Sequence, residues 1–298
     1  MSYIRKFFSN RFVEVITALL LTFILFITFG QFVGSIIMRY TVYLLGGDTW
    51  QFVCQYGMFI GLWIVAIAYI WITKKNRPML QLLGSKPKGN NIKTALIWGI
   101  PLGFGLNMAC AVVAMAFGDI HLSFNSFNPF MFLVFLLAVL VQSGAEELCC
   151  RLFLFQRIRK AFPKRLEVAI IINSLLFALA HAMNPGVTIM SLISVFCSGL
   201  MFTVMVAYLD SFWAAVVAHT TWNFTQSILL GLPNSGIVSA YSVFGLDAAS
   251  ARDGISYTVN FGIEGSVLSI ILILAATVVV YIYGRRKNIQ PMNIWDDK

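Results

Sequence analysis

The chain has 298 residues, of which 59% are hydrophobic and 11% charged, with a formal net charge of +9 and a mean hydropathy of +0.83. These values exclude intrinsic disorder, collagen-like repeats and a soluble globular domain, because the charges are too sparse to solvate an open chain or a water-facing surface. The basic residues fall in short clusters between apolar runs, a pattern that orients a chain in a lipid bilayer; no nucleic-acid partner is expected.

A bilayer core of about 30 Å takes about 20 mostly apolar residues per helix. In chain order, suitable stretches lie near residues 12–38, 51–73, 94–117, 130–156, 167–185, 187–209, 211–232 and 265–284. They predict an all-α membrane protein: a single polytopic domain over 1–298, a bundle of about eight transmembrane helices, with both termini on one side. Placing that side in the cytoplasm puts 19 of the 21 basic residues inside. These are Arg5, Lys6 and Arg11; Lys74, Lys75, Arg77, Lys86, Lys88 and Lys93; Arg151, Arg157, Arg159, Lys160, Lys164 and Arg165; and Arg285, Arg286, Lys287 and Lys298. Arg39 and Arg252 remain outside. The first apolar run is too long for a leader peptide and lacks a clear small-residue cleavage site, so it is read as the first helix. Residues 184–186 and 209–211 read as tight helical hairpins. The stretch 233–264, rich in Ser, Gly and Asn, reads as the one long loop and a cap for the bundle.

Ionisable groups within the bilayer cost at least about 2.5 kcal/mol each on insertion scales, so their positions are informative. Glu146, Glu147 and Arg151 fall in the fourth stretch, His181 in the fifth, and His219 with Asn223 in the seventh. The other acids, Glu14 and Glu264 among them, fall at helix ends or in loops and call for no functional explanation. Residues four apart share a helix face, so Glu147 is expected to pair with Arg151, leaving Glu146 about 100° away as a free, desolvated carboxylate suited to general-base work. The same spacing puts Phe177 with His181 and His219 with Asn223. Counted from an inner boundary near Arg157, Glu167 and Ser211, Glu146, His181, His219 and Asn223 lie about 16, 21, 12 and 18 Å deep, close enough to share one site. Asn173, Thr220 and Thr221 are expected to make ordinary interhelical hydrogen bonds. The five cysteines, Cys54, Cys110, Cys149, Cys150 and Cys197, show no metal-ligand or redox spacing and read as buried small hydrophobes.

The set Glu146-Glu147-x-x-x-Arg151, Phe177-x-x-x-His181 and His219-x-x-x-Asn223, in this order on separate apolar stretches, resembles the signature of the CPBP family. That family comprises the type II CAAX-prenyl endoproteases and the bacteriocin-processing or immunity proteins. The resemblance covers about 130–230, the expected catalytic core. It implies an eight-helix intramembrane endopeptidase that acts on a membrane-associated or lipidated peptide or protein. Glu146 would activate water, while His181, His219 and Asn223 would position the water and stabilise the oxyanion. Glu147, Arg151 and Phe177 match supporting positions. A multi-pass protein of the bacterial plasma membrane fits the compact chain with short loops. Glu146, His181 and His219 also form a ligand set that suits zinc. No His-Glu-x-x-His helix is present, however, and catalysis without a cofactor is favoured. The alternatives are a non-catalytic scaffold or immunity protein with the same fold, and a proton-coupled transporter.

Overall fold

The computed structural model describes residues 10–85, 91–290 and 293–295. Arg5, Lys6, Lys86, Lys88 and Lys298, five of the basic residues used for orientation, lie outside the described residues. The protein is an all-α membrane protein. Among the described residues, six helical segments are long and apolar enough to cross a bilayer: α1 (Arg11–Leu45), α2 (Asp48–Ile72), α3 (Asn91–Ala116), α4 (Pro129–Ala161), α6 (Ile189–Leu209) and α8 (Val267–Arg286). Between them lie the shorter apolar helix α5 (Leu166–Ala180) and the largely buried α7 (Phe212–Phe224), which continues as a π-helical turn over Thr225–Leu229. A two-stranded antiparallel ribbon joins β1 (Leu122–Phe124) to β2 (Phe244–Leu246), with Ser123 opposite Gly245.

Local chemistry sets the helix ends. Asn128 accepts hydrogen bonds from the Phe130 and Met131 amides, with Pro129 in the first turn of α4, where a missing N–H costs nothing. Thr188 and Ser191 form a reciprocal capping box at the start of α6. Asp210 takes a left-handed conformation, and Ser211 then accepts from the Ala214 amide, so the α6–α7 connection is the expected tight hairpin. The α5–α6 connection is not. Helix α5 ends at Ala180, and residues 181–188 form a loop held by turn bonds such as Ala182 N to Leu179 O. His181 therefore lies at a helix terminus and not within a span.

A second correction concerns α4. It runs to Ala161, so Arg151, Arg157 and Arg159 are buried within a helix and do not belong to a connecting loop. Arg157 is charge-paired with Glu14 of α1 at 2.5 Å, which gives that acid a structural task and removes Arg157 as a marker of the membrane boundary. Positive charge paired inside the protein is no orientation signal.

Helices α1 and α2 approach backbone to backbone. A Cβ added at Gly61 would lie 2.0 Å from the Gly30 carbonyl oxygen, and one at Gly34 would lie 1.7 Å from that of Met58. Glycines four apart allow such contact in lipid, where packing replaces the hydrophobic effect between helices. Helix α6 packs between α5 and α8, and α7 lies against α3, α4 and α6.

Candidate active site

Helix α4 delivers its acids where its geometry changes. The α-helix ends at Glu147 and a π-helical segment, Leu148–Leu154, carries the chain past Arg151. Such widened turns are frequent at functional sites. Glu147 is fully buried and its Oε1 accepts from Arg151 Nη1 at 3.0 Å, as its spacing predicts. The same oxygen also accepts from His219 Nδ1 of α7 at 2.9 Å, so Glu147 orients an imidazole besides pinning its helix. Arg151 donates as well to the Gly199 carbonyl. Its guanidinium lies 4.1 Å from the centre of the Phe177 ring and 5.4 Å from that of Phe202.

Glu146 points elsewhere. Its Oε1 accepts from Gln142 Nε2 at 2.5 Å, one helical turn back. Its Oε2 is buried, without a hydrogen-bond partner, and lies 3.8 Å from His219 Nε2. The carboxylate is therefore half-tethered and not bare, and Gln142 is a site residue that sequence reasoning missed. Its spacing from Glu146 was the available signal.

Both imidazoles are held by Nδ1. His181 Nδ1 contacts the Phe177 carbonyl at 2.8 Å, and since a carbonyl only accepts, the ring proton sits on Nδ1. His219 donates from Nδ1 to Glu147, which leaves its Nε2 facing Glu146. The Phe202 ring stacks on that of His219 at 5.0 Å. Asn223 is committed: Nδ2 donates to Ser143 Oγ at 3.2 Å and to Gln142 Oε1 at 3.3 Å, while Oδ1 accepts from Asn234 Nδ2 at 3.2 Å. The amide expected to serve an oxyanion must exchange one of these bonds to do so.

A cavity of about 310 Å³ unites these groups. Glu146, Phe177, His181, His219 and Asn223 line it, with Gln142, Cys149 and Cys150; Glu147 and Arg151 stand behind the wall. Asn173 does not line it: it bonds the Cys150 carbonyl and the Thr203 hydroxyl between helices, the ordinary role expected of it. Of the two threonines, Thr221 bonds carbonyls of its own helix and of α3, whereas Thr220 Oγ1 is buried without a partner.

The loop between α7 and α8 closes one side of the cavity. Asn234 and Ile237 exchange both backbone hydrogen bonds across a tight turn whose central residues, Ser235 and Gly236, have φ of 48° and 81°. A side chain at Gly236 would strike the Pro185 carbonyl at 1.9 Å. Ser235 donates from both its amide and its hydroxyl to Glu264 Oε1. Glu264 is 8% exposed and lines the cavity, which corrects the reading of this acid as an unremarkable loop residue. Burial pushes its carboxyl above the usual range, against the opposing pull of the Ser235 bonds and the His181 and His219 rings.

Among the described residues no three His, Cys, Asp or Glu side chains come together as a group that could hold a metal ion.

Residues 128–225 match the family model described as Rce1-like, type II CAAX prenyl endopeptidase Rce1-like. This stretch runs from the start of α4 through α7 and contains every motif residue of the resemblance. It ends before Asn234, Ser235 and Glu264. No curated protein and no solved structure matches the chain.

Proposed function

We propose that this multi-pass membrane protein is an intramembrane endopeptidase that hydrolyses a peptide bond in a membrane-associated or lipidated peptide or protein. The observation that carries this reading is the unpartnered Oε2 of Glu146, 3.8 Å from His219 Nε2, in a cavity that also receives the His181 ring. Water bound between Glu146 and His219 gives one proton to the carboxylate and attacks the scissile carbonyl. Neutral His219 accepts the second water hydrogen at Nε2 and so aims the lone pair. Glu147 and Arg151 fix that ring and keep Nδ1 as its donor side. Negative charge then develops on the carbonyl oxygen. Donors for it are Asn223, once released from Gln142, and His181 in its imidazolium form. Protonated Glu146 hands its proton to the leaving amine, the C–N bond breaks, and the carboxylate is restored. No step requires a metal, and turnover is expected to persist in EDTA.

Under the positive-inside assignment, the termini are cytoplasmic and the 233–264 loop is outside, in a bacterial plasma membrane. The cavity is lined by the middle of α1 and α4, the first halves of α2 and α6, the ends of α5 and α7, and this loop. Substrate accordingly enters from the outer half of the bilayer.

The test compares purified wild-type protein with Glu146→Gln in nanodiscs, after substrates are found by comparing membrane peptidomes of cells that carry each form. Glu146→Gln should lower turnover by about 10³-fold at an unchanged melting temperature. Equal cleavage by the two forms would refute the mechanism, and a phenotype fully rescued by Glu146→Gln would favour a non-catalytic scaffold.

A further inference from the structure

Glu264 sits outside the stretch that matches the family model, yet it forms part of the same cavity wall as Glu146, His181 and His219. Its side chain is buried, and among the described residues no Lys, Arg or His lies within ion-pair distance of it. Among the described residues its hydrogen bonds are the two from Ser235, both to Oε1. Among the described residues no Lys or Arg lines the cavity. Arg151, which lies behind the cavity wall against the Phe177 ring, is spent on Glu147 and the Gly199 carbonyl. Two carboxylates thus face one enclosed space without a Lys or Arg among the described residues that line it, and the His181 imidazolium of the mechanism above offsets only one of them.

Such an arrangement leaves a charge deficit that a ligand can fill. Buried carboxylates are stable when paired, and a site built with one unpaired discriminates strongly between a charged ligand and its neutral isostere. Glu146 is reserved by the hydrolytic reading for water. Glu264 has no such task, and its anchor is rigid: the Asn234–Ile237 turn that holds it is itself tied to Asn223 and packed on the Pro185 carbonyl. We infer that Glu264 is a specificity-determining residue that receives a cationic group of the substrate, a Lys or Arg side chain or a free amine, and so sets which peptides reach Glu146. This rests on the endopeptidase reading above and names the substrate class of that same cavity.

The experiment separates capture from cleavage. Full-length protein in detergent is incubated with a randomised decapeptide library, and retained peptides are identified by mass spectrometry for wild type, Glu264→Asp and Glu264→Gln. Wild type and, more weakly, Glu264→Asp should retain peptides enriched about tenfold in Lys or Arg at one position, and Glu264→Gln should retain them without that enrichment. Because Glu264→Gln loosens the Ser235 turn, wild-type protein is also treated with a carbodiimide and a lysine-containing peptide from the retained set. The amide cross-link should map to Glu264. Basic enrichment that survives in Glu264→Gln, no enrichment in wild type, or cross-links confined to other acids would overturn the inference. If hydrolysis is the part that is wrong, captured peptides remain intact in wild type while the Glu264-dependent enrichment stands.

Discussion

In α1 and α2 the central contact is backbone on backbone, Gly30 and Gly34 against Met58 and Gly61; in α4 to α7 it is a relay of side chains from Arg151 through Glu147 to His219, and from Glu146 through Gln142 to Asn223. The first region faces lipid with large apolar side chains such as Ile24, Phe32 and Ile64 and keeps its polar groups few. The second buries charge, which its partners must satisfy before any chemistry is possible. Close packing in lipid yields to any added atom, whereas a polar network yields to the loss of one. The two regions should therefore fail in opposite ways, the first by gain of volume and the second by loss of a partner.

The largest effect is expected from Gly34→Val. Its Cβ would fall 1.7 Å from the Met58 carbonyl oxygen, on rigid backbone, so the α1–α2 pair must separate. A loss of more than about 4 kcal/mol is expected, seen as a collapse of the melting temperature in detergent. Next comes Glu147→Gln, which leaves Arg151 buried with no countercharge and costs about 3 kcal/mol of stability, together with most of the turnover. If its melting temperature matched that of wild type, the buried pair would not hold the second region together. Smallest is Gln142→Ala. Glu146 loses its tether and Asn223 one acceptor, so turnover should fall about tenfold with little change in melting temperature. A stability loss without that kinetic change would make Gln142 a packing residue.

Much of the candidate site could be read from spacing alone. Glu147 and Arg151 are four apart on one helix, and local geometry suffices to pair them. His219 and Asn223 fall on one face for the same reason, and both line the cavity. Spacing failed where helix limits decide the outcome. His181 was counted within a span, but it terminates α5, and its ring reaches the cavity by folding back on the Phe177 carbonyl. The depth estimate started from Arg157, which is buried against Glu14.

The sequence by itself determined that this chain is helical and lives in a membrane, and it marked the polar residues that lipid would not tolerate unpaired. Hydropathy and helical periodicity are local properties, summed over some twenty neighbours along the chain. Only the tertiary structure decided who partners whom. The Glu147–His219 bond joins residues 72 apart, and the Ser235–Glu264 bond joins residues 29 apart across an irregular loop. No periodicity reaches that far, because such contacts are fixed by how helices cross and where a turn with positive φ sends the chain. Glu264 looked like any loop acid until the fold closed that loop over the cavity.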